Sequence, residues 1–235
     1  MAAADDRPSI RTVVATGSTN DDVAALARQG APEGTWLRAE RQTGGRGRQS
    51  RIWVSPPGNL YASTIVRLRA GDPPPATLAL VAAVALHEVV APLAPAVRIK
   101  WPNDLLADGA KLAGILLERE GDAVVVGFGV NLAAPPAGID RPATSLAALT
   151  GSAVEPGAFL ELLAESFSRW LGRWRGGGIA PVRRRWLEAA HAVGTALSTP
   201  EGDGLFEGLD ESGGLRLRLA DGEVRLIHAG DVFLI

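Results

Sequence analysis

Cysteine is absent from the 235-residue chain, and lysine is nearly so: Lys100 and Lys111 stand against 22 arginines. Without thiols there is no disulfide framework, thiol nucleophile, zinc–thiolate site or iron–sulfur cluster. That composition fits a cytoplasmic protein. The longest apolar run, around Leu78 to Leu86, falls well short of the roughly 18 residues that span a bilayer. Met1 to Pro8 is short and charged, with no apolar segment of signal-peptide length. Excess charge is missing too. A net charge of −2 argues against a dedicated nucleic-acid binder. What is present is 46% hydrophobic and 21% charged residues, the balance of a globular chain long enough to bury a core. At about 150 residues per domain, it makes one to two domains. Alanine occurs 39 times and arginine dominates the cations, the mark of a general compositional bias. A lysine retained in such a chain carries more information than any one arginine.

Val13 to Thr16 reads as a strand. Gly17 and Ser18-Thr19-Asn20-Asp21-Asp22 then read as a turn and a helix start, and Gly30 closes that helix. Trp36 to Glu40 and Leu60 to Leu68 are strands flanking a Gly/Arg-rich loop, Thr43 to Arg51. Pro73-Pro74-Pro75 introduces an Ala/Leu/Val helix ending near Pro92. Short strands follow at Val97 to Trp101 and Leu105-Leu106, then a hairpin signal at Asp108-Gly109, then strands at Lys111 to Glu118 and Ala123 to Leu132. Phe159, Leu162, Leu163, Phe167, Trp170, Leu171 and Trp174 fall at helical spacing; Gly176-Gly177-Gly178 reads as a linker to a second helix containing Trp186. From about Val193 onward, short strands punctuated by glycine predict a small all-β barrel.

Three segments can carry chemistry. Thr43 to Arg51 sets three guanidiniums among glycines, which suits close backbone approach to an anion and forked bonding to phosphate or carboxylate. It is neither a Walker A loop nor a dinucleotide fingerprint. On composition alone it is equally a solvated basic loop, and a nucleic-acid loop is a weaker third reading because no aromatic platform is interleaved. Lys100-Trp101-Pro102-Asn103-Asp104 and Lys111 hold both lysines, eleven positions apart. Lys100 alone reads as a snorkelling side chain, whereas Lys111 follows a tight turn at the mouth of an apolar strand. Val124 to Asn131 is a strand with two glycines, which marks either a bulge or the close approach of a ligand.

Together these segments resemble bacterial biotin–protein ligases. The matching words are Thr16-Gly17-Ser18-Thr19-Asn20; Glu40 to Arg48 continuing to Trp53-Val54-Ser55-Pro56; Lys100 to Asp104; Lys111 to Glu118; and Gly127 to Leu132, in the family's order and at compatible spacing. The likeness is weak between Asp140 and Ala192 and resumes in Gly208-Leu209-Asp210, Gly213-Gly214, Asp221-Gly222 and Gly230-Asp231-Val232. It implies an α+β fold: a central mixed β-sheet flanked by helices (class II synthetase-like) over residues 1–190, and a C-terminal SH3-like β-barrel over residues 191–235. The implied activity is that of a biotin–[acetyl-CoA-carboxylase] ligase. Biotin and ATP, with Mg²⁺, give biotinoyl-5′-AMP, and a lysine of a biotin carboxyl carrier protein domain then takes the biotinoyl group. By the same resemblance Lys111 and Arg48 are catalytic. Ser18, Thr19, Asn20, Gln42, Gly45, Arg46, Gly47, Arg48, Lys111, Gly114 and Gly127 bind biotin. Arg46, Arg48, Arg51, Trp53, Asn103, Lys111 and Asn131 bind ATP or the adenylate, and no resident metal is implied. Ser18, Thr19 and Asn20 also read as plain helix capping, and Asn103 and Asp104 as structural residues of the strand mouth or groups reaching metal-bound water. The first matching word begins at Thr16, so the monofunctional kind without a DNA-binding domain is expected, with no DNA or membrane partner. The family also admits a homodimer. Gln49-Ser50 stands where many relatives have Arg-Gly, which bears on loop closure. A lipoate or octanoate ligase of the same fold, or a non-catalytic biotin-binding module, are the competing readings.

Overall fold

The computed structural model describes residues 9–138 and 141–235. Seven strands form one mixed sheet: β1 (Ser9–Thr16), β2 (Thr35–Gln42), β3 (Leu60–Arg67), β4 (Arg98–Lys100), β5 (Asp104–Ala107), β6 (Ala110–Glu120) and β7 (Ala123–Val130). Their order is β1-β2-β3-β7-β6-β5-β4; β1 and β2 run parallel and every other pair is antiparallel. The helices are α1 (Thr19–Arg28), α2 (Leu78–Val90), α3 (Leu146–Thr150), α4 (Pro156–Gly177) and α5 (Ile179–Ala189). A second, antiparallel sheet follows, made of β8 (Ala196–Thr199), β9 (Gly202–Leu209), β10 (Leu215–Leu219), β11 (Val224–Ile227) and β12 (Phe233–Leu234), in the order β11-β10-β9-β8-β12. No helix among the described residues is long and apolar enough to cross a membrane.

The alternation along β7 explains the layers. Val124, Val126, Phe128 and Val130 point to one face and join the main core with α2, α4 and α5. There Trp36 stacks on Phe128, and Phe167 meets both rings edge-on. Ala123 and Val125 point to the other face and pack beneath α1 with Val23, Ala27, Leu37 and Ile65. Gly127 and Gly129 continue that second face toward the N-terminal end of α1, where Asn20 lies over Gly127 and Trp53 over Gly129. Helix α2 is buried almost all round, as a helix between two layers must be. The second sheet shares the main core through Phe206, Leu209, Leu215 and Leu217, and Trp186 of α5 packs edge-on against Phe206.

One boundary differs from the sequence reading. Gly176 and Gly177 are not linker but the last turn of α4; the chain breaks at Gly178, which has φ 67° and ψ −161°. Each helical glycine costs about 1 kcal/mol relative to alanine. Burial of Trp170, Leu171 and Trp174 just upstream outweighs that cost. Arg175 ties the same turn down, donating to Glu33 at 2.6 and 2.7 Å and to Asp72 at 3.2 Å.

Candidate active site

The open face of the sheet is a trough with a glycine floor. Register pairs Gly114 of β6 with Gly129 of β7, and Leu116 with Gly127. A methyl group on Gly127 would collide with the Asn20 amide, and one on Gly129 would sit 2.5 Å from the Trp53 ring. The glycines therefore make room for these two side chains, and β7 pairs on both sides without a register shift, so the bulge reading fails and it is side chains that approach.

At one end lies a neutral, polar pocket. The hydroxyl of Ser18 at the N-cap of α1 makes no capping bond, so capping does not account for it. Gln42, at the end of β2, accepts from the Thr19 backbone N–H at 2.8 Å. The buried Ser63 hydroxyl lies 2.8 Å from that of Thr19 and donates to Asn20 Oδ1 at 2.6 Å. Asn20 Nδ2 donates to Glu118 at 2.6 Å.

At the other end the sheet register assembles an ion triad. Asp104 pairs across the strands with Lys100 on one side and with Gly114 on the other. Its carboxylate accepts from Lys111 Nζ at 2.6 Å and lies 3.2 Å from Lys100 Nζ. The β5–β6 register slips between Leu105 and Leu106, leaving Leu112 as the extra residue of a β-bulge. Strict alternation from Gly114 would turn Lys111 toward the core, and the bulge re-aims it into the trough. Burial works to raise the Asp104 pKa, but the charges of Lys111 and Lys100 outweigh it and hold the carboxyl below the ordinary range. Burial in turn holds Lys100 below the usual ammonium value, against the pull of Asp104.

The Gly/Arg loop closes over the trough by separate attachments. Arg46 binds the Asp21 carboxylate at 2.6 and 2.8 Å and Glu118 at 2.9–3.1 Å. Its bond to Asp21 draws that pKa down. Arg48 donates to the Gly230 carbonyl at 2.9 Å and lies 3.4 Å from Asn103 Oδ1, while Arg51 pairs with Asp231. Between the two, Gln49 and Ser50 both adopt left-handed backbone, at φ 56° and 57°. A conformation that costs an L-residue about 1–2 kcal/mol is therefore imposed on both. Trp53 follows the loop and lies across Gly114 and Gly129, with Lys111 Nζ 5.4 Å from a ring centroid. Two buried polar atoms here lack partners among the described residues: Trp53 Nε1 and Asn131 Oδ1. The Asn131 amide nitrogen is spent on the Thr144 and Lys111 carbonyls, which leaves its oxygen as a free acceptor.

These groups surround one cavity of about 740 Å³. Ser18, Thr19, Asn20, Gln42, Arg46, Gly47, Arg48, Arg51, Trp53, Asn103, Lys111, Gly114, Gly127 and Asn131 all line it. Gly45 does not; it lies behind the wall, where a methyl group would press on the Gln42 amide and the Trp53 carbonyl. The histidines stay outside as well. Residues 15–131 match the Biotin/lipoate A/B protein ligase family, and residues 198–235 match the Biotin protein ligase C terminal domain. The biotin–[acetyl-CoA-carboxylase] ligase of Paracoccus denitrificans is 43% identical over 93% of this chain and 97% of its own. That of Mycobacterium tuberculosis is 37% identical over 94% and 86%. A bifunctional ligase/repressor of Bacillus subtilis is 32% identical over 92% and 71%. Biotin protein ligase from Aquifex aeolicus, solved with biotin and ATP, superposes with a TM-score of 0.86 at 25% identity, covering 97% of this chain and 99% of the other. The chain belongs to the biotin protein ligase family.

In this biotin protein ligase part of the cavity comes from a stretch assigned no site residue from sequence, the C-terminal strand. Lys100 donates to the Val232 carbonyl at 2.7 Å, and Phe233 lies under both Lys100 and Arg141. The only signal for this wall was the Gly230-Asp231-Val232 word. Glu118 and Asp21, which take up the charge of Arg46, stand out in the sequence only as parts of strand and helix-start motifs.

Proposed function

We propose that the chain activates biotin as biotinoyl-5′-AMP and transfers it to a lysine of a carboxylase carrier domain, working in the cytoplasm. The observation that carries this reading is one continuous trough, with a neutral hydrogen-bonding pocket at one end, Lys100 and Arg48 at the other, and Lys111 over the floor at Gly114. A molecule with an uncharged polar ring and a carboxylate tail suits the first end, and a nucleotide triphosphate suits the second. Lys111 stands between them.

A carboxylate oxygen of biotin attacks the α-phosphorus, the bond to the bridging oxygen breaks, and pyrophosphate leaves with the electron pair. Two anions must meet, so positioning and charge neutralisation supply the catalysis. Lys111 neutralises the meeting point, and Asp104 keeps its ammonium aimed. Arg48 and Arg51 close the loop against the phosphate side and keep water from the anhydride. Trp53 offers a face for adenine, and the free Asn131 oxygen accepts from its exocyclic amine. In the second step the carrier amine attacks the acyl carbon and AMP departs. Among the described residues, the carboxylates lining the cavity are Asp104, engaged by two lysines, and Asp231, engaged by Arg51, so Mg²⁺ would be held chiefly by phosphate and water. Bound with the triphosphate, Mg²⁺ would shield its charge, with Asn103 and Asp104 in reach of its water.

The direct test is ATP–pyrophosphate exchange run with biotin and with lipoate, mass-spectrometric detection of the adenylate, and transfer of labelled biotin to a carboxylase carrier domain. Biotin-dependent exchange and transfer are expected; exchange that needs lipoate instead overturns the substrate, and binding without adenylate overturns the enzyme. Gly129→Ala tests the adenine face. Its methyl group would force Trp53 to move, so the KM for ATP should rise roughly 10- to 100-fold while that for biotin stays near wild type.

A further inference from the structure

Glu118 sits where the neutral pocket meets the loop, and neither step of the reaction gives it a task. Its carboxylate accepts from Asn20 Nδ2 at 2.6 Å and from Arg46 at 2.9–3.1 Å. Asn20 lies in the first turn of α1 and Arg46 in the loop, so one side chain from β6 joins two segments that also meet directly through the Arg46–Asp21 pair.

A carboxylate only accepts hydrogen bonds, which orders everything upstream of it. Asn20 must turn its NH₂ toward Glu118, so its oxygen faces Ser63. Ser63 must then donate its single proton to Asn20 Oδ1, as it does at 2.6 Å. The Thr19 hydroxyl, 2.8 Å from Ser63 Oγ and 3.1 Å from Gln42 Oε1, then faces two acceptors and serves as the donor. A chain of polar groups ending on a fixed charge is thereby polarised in one sense. From this geometry we propose that Glu118 is a positioning residue for biotin capture: it fixes the donor and acceptor pattern of Thr19, Ser63 and Asn20, and pins Arg46 of the loop to the same wall. The inference rests on the ligase reading above. Arg46 is by this account the strut that attaches the loop, its charge balanced by Asp21 and Glu118, while Arg48, Lys100 and Lys111 face the reacting anions.

The experiment compares wild type, Glu118→Ala, Glu118→Gln and Glu118→Ala combined with Arg46→Ala in biotin-dependent pyrophosphate exchange, with thermal melting as the check on folding. A glutamine can still accept from Asn20 but cannot balance Arg46 and is free to flip. We expect the KM for biotin to rise roughly 10- to 100-fold in Glu118→Ala and less in Glu118→Gln, with the KM for ATP within twofold of wild type and kcat at saturating biotin within threefold. The double variant should be little worse than Glu118→Ala alone, because both act through one wall. A biotin KM within twofold of wild type in a folded Glu118→Ala overturns the proposal, as does a loss borne by kcat or by ATP alone. Should Glu118→Ala melt below the assay temperature, Glu118→Gln decides by the same criteria. Absence of biotin-dependent exchange in the wild type would instead fell the ligase reading, and the proposal with it.

Discussion

Lys111→Ala is expected to lower adenylate formation by roughly 10²- to 10³-fold, the usual loss when a preorganised charge at a developing anion is removed. The fold should survive. The Lys111 side chain is about a third exposed, and its backbone keeps its bonds to Pro142 and Thr144 whatever the side chain. Asp104 keeps Lys100 as partner, so no buried charge is orphaned. Arginine should rescue little: the ammonium is held 2.6 Å from Asp104, close over Gly114 and beside Trp53, a slot for a point charge and not for a planar fork. The check is initial-rate exchange at saturating biotin and ATP, with melting recorded for each variant. Near-wild-type exchange in a folded Lys111→Ala would remove this residue from the chemistry.

Lys111, Asp104 and Trp53 stand out in the sequence but their pairing does not, and the cause is the range of the interactions. The strands, α1 and α4 were legible because β-branched runs, a helix start with its closing glycine and helical apolar spacing are local signals, while the mixed central sheet came only from the resemblance. The glycines were legible as oddities, but whether they marked a bulge or a close approach depended on Asn20 and Trp53 reaching across from other segments. The bulge at Leu112 left no local mark, since it arises from the fit of β6 between β5 and β7. Arg46 meets Glu118 across 72 positions, and Arg51 meets Asp231 across 180; nothing in either segment alone announces such a pairing. Gly176 and Gly177 misled in the opposite sense. Their intrinsic preference is for a break, and burial of the neighbouring tryptophans overrides it.

The second large effect is expected at Asp104, and it should differ in kind from that of Lys111. The carboxylate is largely buried and serves two ammoniums at once. Asp104→Ala leaves Lys100 buried with only the Val232 carbonyl and Lys111 with no anion, and breaking a buried pair from one side costs about 3 kcal/mol or more. In a chain of this size that should lower Tm by about 6–12 °C, where Lys111→Ala should lower it by far less. Asp104→Asn separates charge from shape. It keeps an acceptor for one lysine but turns an NH₂ toward the other, so part of the Tm loss should remain. Because Lys111 then loses the anion that aims it, exchange should still fall roughly 10- to 100-fold with the biotin KM little changed. Melting curves and exchange kinetics on the three variants settle the matter together. If Asp104→Asn matches wild type in both, the triad is a passive surface pairing. If it loses stability but keeps full exchange, the carboxylate holds the strand mouth together and does not aim Lys111.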